Sequence, residues 1–199
     1  MKFLKSVLII LIPGVLFFSC TSAVNIRSNK DSSYKGGEFK KIFVMAITKD
    51  TGLRRAYEDD MVRSIKQEKA DAVQSLAFLS QGDIPGEDTL KNIIRENNFD
   101  GFLVMFYIYK DKYVSIQKSK MSFYGFVTDK MEKMKEMDAD YIYGYYFYAN
   151  LFSTNLNSEV WNAYTKTKYF ENIKDLTGSV TFELVNEMVA EKLLECPCD

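Results

Sequence analysis

DGFLVMFYIY, residues 100–109, carries no charge after Asp100 and is apolar or aromatic from Phe102 onward. A strand with no polar face is a strand covered on both faces, as in parallel sheets sandwiched between helices. A counterpart lies upstream in Lys41–Thr48 (KIFVMAIT), which is also apolar on both faces and ends at Lys49-Asp50-Thr51-Gly52. Between the two, Leu53–Lys69 has Tyr57, Met61 and Ile65 four residues apart with Val62 beside them, which predicts a helix with one inward stripe. Asp71–Leu79 (DAVQSLAFL) reads as a weaker strand, Gln81–Gly86 as a loop, and Glu87–Asn98 as a helix with Leu90, Ile93 and Ile94 inside. Asn97-Asn98 suits its end, because Asn tolerates the left-handed turn there. Strand, helix, strand, helix, strand predicts parallel pairing with right-handed crossovers.

The pattern changes downstream. Asp140–Ser153 (DYIYGYYFYANLFS) and Glu159–Tyr169 (EVWNAYTKTKY) read as two long strands joined by Asn155–Ser158, an antiparallel hairpin. Trp161 is expected to anchor packing against the last helix, Asn172–Glu195, whose Leu176, Val180, Leu184 and Met188 share one side. An insert at about 118–137 is expected to be a structured cover, helical in its second half through Met131, Met134 and Met137. The expected fold is α/β, a mixed sheet of about five strands (βαβαβ, then the hairpin) packed by about three helices, the C-terminal helix last. Residues 39–199 make this single domain, and the polar stretch 20–38 reads as a flexible tether with a reach of roughly 20–25 Å.

Residues 1–19 are a different kind of segment. Lys2 and Lys5 precede an apolar run from Val7 to Phe18, interrupted only by Pro13-Gly14. A run of about a dozen residues fits a signal peptide; crossing a bilayer needs about 20. Ser19-Cys20 then Thr21 follow, and the segment resembles a bacterial lipoprotein precursor, with a small residue before the cysteine. Phe17 and Phe18 depart from the aliphatic and small residues usual in that box. The resemblance implies cleavage between Ser19 and Cys20, diacylglycerol on the Cys20 sulfur and an acyl chain on its amine. Thr21 rather than Asp after the cysteine implies the outer membrane, facing the periplasm. Cleavage after Thr21-Ser22-Ala23 by an ordinary signal peptidase, or an uncleaved anchor, are the alternatives.

Composition narrows the function. Losing residues 1–19 removes Lys2 and Lys5, so the precursor's 26 basic against 27 acidic residues become 24 against 27, a net charge of −3. No basic stripe calls for nucleic acid. There is no histidine, which excludes Ser-His-Asp and Cys-His triads and HExxH zinc sites. No GxxxxGK[ST], GxSxG or GxGxxG occurs. No metal and no cofactor is expected.

The stretches KKIFVMAIT, RRAYEDDMVRSI, AVQSLAFL, NFDGFLVMFYIY and LFSTNLNSEVWNAYTKT together resemble small α/β envelope domains. These are the N-terminal domain of TolB-type translocation proteins and the curli-secretion lipoproteins of the CsgG type. The resemblance spans about Phe39–Leu194 and implies a periplasmic interaction domain without a reaction.

Three groups of residues are candidate sites. Arg55 and Glu58, with Arg54, Asp59, Asp60 and Arg63, crowd the first helix; their spacing suits i,i+3 and i,i+4 pairs on a solvated face, and a carboxylate or Arg recognition site is the sharper reading. Tyr143 and Tyr145 fall on one face of their strand with Phe147, and Tyr146 and Tyr148 on the other with Phe152. They are a binding platform if exposed, or core if Phe123, Tyr124 and Phe126 of the insert cover them. Cys196-Pro197-Cys198 reads as a tail or a small, strained disulfide loop. The expected function is a lipid-anchored envelope protein, not an enzyme, whose domain binds another envelope component. The alternatives are a carboxylate- or thiol-dependent enzyme, and an assembly accessory that oligomerises through the edge of the Tyr strand.

Overall fold

A computed structural model of the chain describes residues 24–83, 85–108, 121–135, 146–167, 170 and 172–195. The chain opens with strand β1 (Val24–Lys30), then β2 (Lys41–Ile47), α1 (Thr51–Gln67) and β3 (Asp71–Gln74). A 3-10 turn (Ser75–Ala77), α2 (Glu87–Glu96), β4 (Gly101–Ile108) and α3 (Phe123–Lys135) follow, and β5 (Tyr146–Ser153), β6 (Ser158–Thr167) and α4 (Ile173–Ala190) close the fold. The sheet order is β1-β6-β5-β4-β2-β3. β2 is parallel to β3 and β4; β5, β6 and β1 are added antiparallel. The expected α/β class holds, with six strands and four helices among the described residues rather than about five and three.

Local chemistry sets the ends of these elements. Asp50 caps α1 by accepting from Leu53 N at 3.0 Å, and Asn172 caps α4 by accepting from Asp175 N at 2.8 Å. Glu87 and Asp88 stand in the first turn of α2, where the helix dipole favours acids. Asn98 follows α2 at φ 54°, and Asn157 turns the β5–β6 hairpin at φ 46°. The carboxylate of Asp100 accepts from Lys40 N and Lys41 N at 2.8 and 2.9 Å, fixing the register of β2 against β4.

The sheet has two covered faces, as its two-sided apolar strands require. One packs on α1 and α4: Ile42, Val44, Leu103, Leu151 and Trp161 meet Tyr57, Met61, Ile65, Val180 and Leu184. The other packs on α2 and α3: Phe43, Phe102, Val104 and Phe152 meet Leu90, Ile94, Phe123 and Val127. Trp161 lies in the first cluster beside α4, as its position suggested.

Two sequence expectations need correction. The tether read as 20–38 is folded over much of its length. Val24–Lys30 is an edge strand paired along β6, from Val24 opposite Thr167 to Lys30 opposite Trp161. Its inward side is divided: Val24 and Ile26 pack on the core, while Ser28 meets the polar side of α4, its Oγ 2.6 Å from both Glu187 Oε1 and Glu191 Oε1. The second correction concerns 71–79, read as one strand. Pairing stops at Gln74, opposite Val44, because Ser75 turns inward to join a buried ion pair. Of the expected hairpin strand 140–153, the part before Tyr146 lies outside the described residues.

Candidate functional site

Ligand sites in open α/β sheets lie at the carboxyl ends of parallel strands, where neighbouring connections leave in opposite directions. Here β2 feeds α1 on one face, while β3 leads to α2 on the other. A cleft of about 260 Å³ opens at that point, lined by Ala46, Thr48, Lys49, Arg54, Asp83 and Met131 among others.

A buried ionic network forms the inner wall. Glu58 has no solvent exposure and Arg54 is 4% exposed. Glu58 Oε1 accepts from Arg54 Nε at 3.1 Å, Ala46 N at 3.0 Å and Ser75 Oγ at 2.7 Å; Oε2 accepts from Leu76 N at 3.1 Å. Arg54 Nη2 in turn donates to Ser75 Oγ at 2.8 Å. One carboxylate thus joins α1 to β2 and to the turn after β3. Both of its oxygens are engaged, so the group is built as a staple across three elements.

This overturns the solvated face read from the helix. Glu58 pairs with Arg54, one turn back, and Arg55 is exposed. A charged triplet looks like a solvated face in sequence, but the register places Arg54 and Glu58 on the same inward side as Tyr57 and Met61. Asp59 is half-buried, so it and Glu58 do not form a carboxylate pair facing one space. Asp60 works elsewhere: its carboxylate accepts from Thr177 Oγ1 on α4 and from Arg63 Nη1 at 2.6 Å.

Tyr146 and Tyr148 are each 8% exposed. Tyr148 stacks on Phe106 with centroids 5.1 Å apart, Tyr146 stacks on Tyr164 at 5.6 Å, and Phe126 of α3 covers neighbouring Phe152 at 5.2 Å. The insert therefore covers this part of the strand, and the Tyr strand β5 is interior to the sheet. Association through its edge is corrected accordingly: among the described residues the sheet edges are β1 and β3. Tyr143, Tyr145, Ser19, Cys20, Cys196 and Cys198 lie outside the described residues.

Burial pushes the Tyr148 phenol up to about 12, helped by its Tyr164 and Tyr146 neighbours, and pushes Tyr124 up to about 12, helped by Glu87. A free phenol titrates at 10.0, so the unfolded chain loses these protons first. The stability the two phenols contribute is complete below pH 10 and is lost as pH rises from 10 to about 12. The urea midpoint should therefore hold level up to pH 10 and fall above it, and Tyr148→Phe should flatten part of that fall. An identical fall in Tyr148→Phe would rule this residue out as its source.

A second buried polar group went unread in the sequence. Glu159, 1% exposed, accepts from Asn150 Nδ2 at 3.0 Å and Asn162 Nδ2 at 2.5 Å. Asn150 and Asn162 are direct cross-strand partners on β5 and β6. A bulge at Leu151/Phe152 brings Glu159 onto their face, and strict alternation along β6 would have put it on the other.

Among the described residues no helix is long and apolar enough to cross a membrane, and no three acids or cysteines are grouped to hold a metal. No family model matches the chain, and no curated protein matches it. Among solved structures, the chain is similar to a PelC variant dodecamer from Paraburkholderia phytofirmans in space group C2. That match has a TM-score of 0.49 and 11% identity, covering 81% of this chain and 95% of that one. It is also similar to the PelC dodecamer of the same organism in space group P6, with a TM-score of 0.48, 10% identity and the same coverage.

Proposed function

We propose that the chain is a lipoprotein of the cell envelope, held by lipid on Cys20 to the outer membrane and facing the periplasm, and that its α/β domain acts by binding another envelope component. The observation that carries the reading is the order of segments at the start of the chain. A short basic stretch, an apolar run of signal-peptide length and Ser19-Cys20 are followed within three residues by the first strand of the folded domain. The fate of the interior charges supports binding over catalysis: Glu58, Asp60 and Glu159 are each engaged in joining elements of the fold.

Intact mass of the protein recovered from the membrane fraction tests this. The expected mass starts at Cys20 and carries acyl chains, and Cys20→Ala should abolish both the processing and the membrane association. A mass starting at Val24 without lipid would sink the anchor. Under the anchor reading, crosslinking from the intact membrane should capture an envelope protein or lipid-linked component, and turnover of any small substrate by the purified domain would overturn binding as its role.

A further inference from the structure

Two strands flank β2, and they do not run equally far. β4 pairs with it as far as Phe106 opposite Ile47, whereas β3 stops at Gln74 opposite Val44. The main chain of β2 alternates between them. Lys40 O accepts from Asp71 N at 2.8 Å on the β3 side, and Lys41 O accepts from Asp100 N at 3.0 Å on the β4 side. By that alternation Ala46 N, Ala46 O and Thr48 N all face the side that β3 has left. Ala46 N is taken by Glu58 Oε1 at 3.0 Å. Ala46 O and Thr48 N–H have no partner among the described residues, and both residues line the cleft.

A free acceptor and a free donor two residues apart on one strand edge match a polypeptide main chain. In a parallel ladder, the residue opposite Ile47 donates its N–H to Ala46 O and accepts at its carbonyl from Thr48 N. It asks nothing of Ala46 N, which Glu58 already holds, and β2 pairs in parallel with both of its neighbours. Opposite residues of a ladder share a face. The side chain of the added residue therefore falls on the face of Ile47, where Met45 and Met131 also line the cleft. Methionines repack around apolar groups of differing shape. Charge selects no ion here, because Lys49 and Arg54 stand among Asp50, Glu58 and Asp83. The volume of about 260 Å³ is below the ~300–1,000 Å³ of pockets for drug-sized molecules, and suits one or two residues of chain.

We infer that the cleft takes an extended segment of a partner polypeptide, which adds one uncharged, apolar residue to the edge of β2 opposite Ile47. The inference rests on the binding reading and names the partner as a protein held by its main chain.

The test uses the full chain recovered from membranes and placed in lipid nanodiscs, with isotope-labelled methionine methyl groups read by NMR. Met45→Leu and Met131→Leu assign the two signals. The probe is N-acetyl-leucine N-methylamide, a single residue with a peptide group on each side. Both signals should shift and saturate as it is added. The same probe methylated on the leucine nitrogen lacks the donor for Ala46 O and should bind several-fold more weakly. N-acetylglucosamine, polar and of similar size, should leave both signals in place. No saturable shift with the leucine probe, equal binding of its N-methylated form, or shifts with the sugar alone overturns the inference. Crosslinking from the intact membrane is read separately. An envelope protein captured while both methionine signals stay silent to the probe overturns the cleft as the docking site and leaves the binding reading standing.

Discussion

Glu58→Ala should lower the stability of the domain by about 3–5 kcal/mol, because it leaves a buried guanidinium without its counter-charge. Arg54 is 4% exposed, so little water reaches its guanidinium to replace the lost carboxylate. Ala46 N and Leu76 N lose their acceptor in the same step, and Ser75 Oγ loses one of its two partners. For a domain of this size each kcal/mol is worth about 2–4 °C, so the melting temperature should fall by roughly 6–20 °C. Thermal unfolding followed by circular dichroism measures it. The double variant Arg54→Leu with Glu58→Leu separates the charge from the packing. Replacing both ions by apolar groups removes two desolvation penalties together, so the double should cost clearly less than the two singles summed. Strict additivity would mean that Arg54 and Glu58 do not act as a pair.

The same network shows what sequence periodicity can and cannot deliver. The β2 and β4 strands were readable because neither has a polar face, and a chain cannot leave such strands uncovered. The α1 stripe was readable through Tyr57, Met61 and Ile65 for the same reason. Arg54 and Glu58 share that stripe's inward side, but side-chain type alone assigned them to water, since unpaired charges are rarely buried. Their burial depends on Ala46, Ser75 and Leu76, which the fold brings in from two other elements. β1 was misread for a related reason. VNIRSNK has few apolar residues because Ser28 on its inward side meets Glu187 and Glu191 on α4 and, among the described residues, its outer edge carries no further strand. Edge strands are commonly kept polar in this way, which removes the very signal by which strands are found. The alternation of Val24 and Ile26 was the only trace of it. Glu159 escaped because a bulge shifts its face, and a bulge leaves no mark in a period-two pattern.

Trp161→Ala should cost about 3–5 kcal/mol, the range for deleting a large buried aromatic side chain. Trp161 is 1% exposed on β6, opposite Leu151 and Lys30 by register, and packs in the cluster that includes Leu176, Val180 and Leu184 of α4. It is therefore central to the contact that holds the last helix to the hairpin and, through β6, to the edge strand β1. Trp161→Phe separates packing from polarity. Indole Nε1 has no hydrogen-bond partner among the described residues, so Phe gives up volume but no bond there. Its loss should stay within about 1.5 kcal/mol, with relief of the unpaired N–H offsetting part of the smaller ring. Trp161 is the chain's single tryptophan, so its fluorescence also reports the site without interference. Emission should be blue-shifted in the native domain and move to the red in one step with the circular dichroism signal on adding urea. A wild-type red shift that precedes the loss of secondary structure would mean that α4 leaves the sheet before the rest unfolds. An Ala variant as stable as wild type would mean that β1, rather than this ring, holds β6 in place.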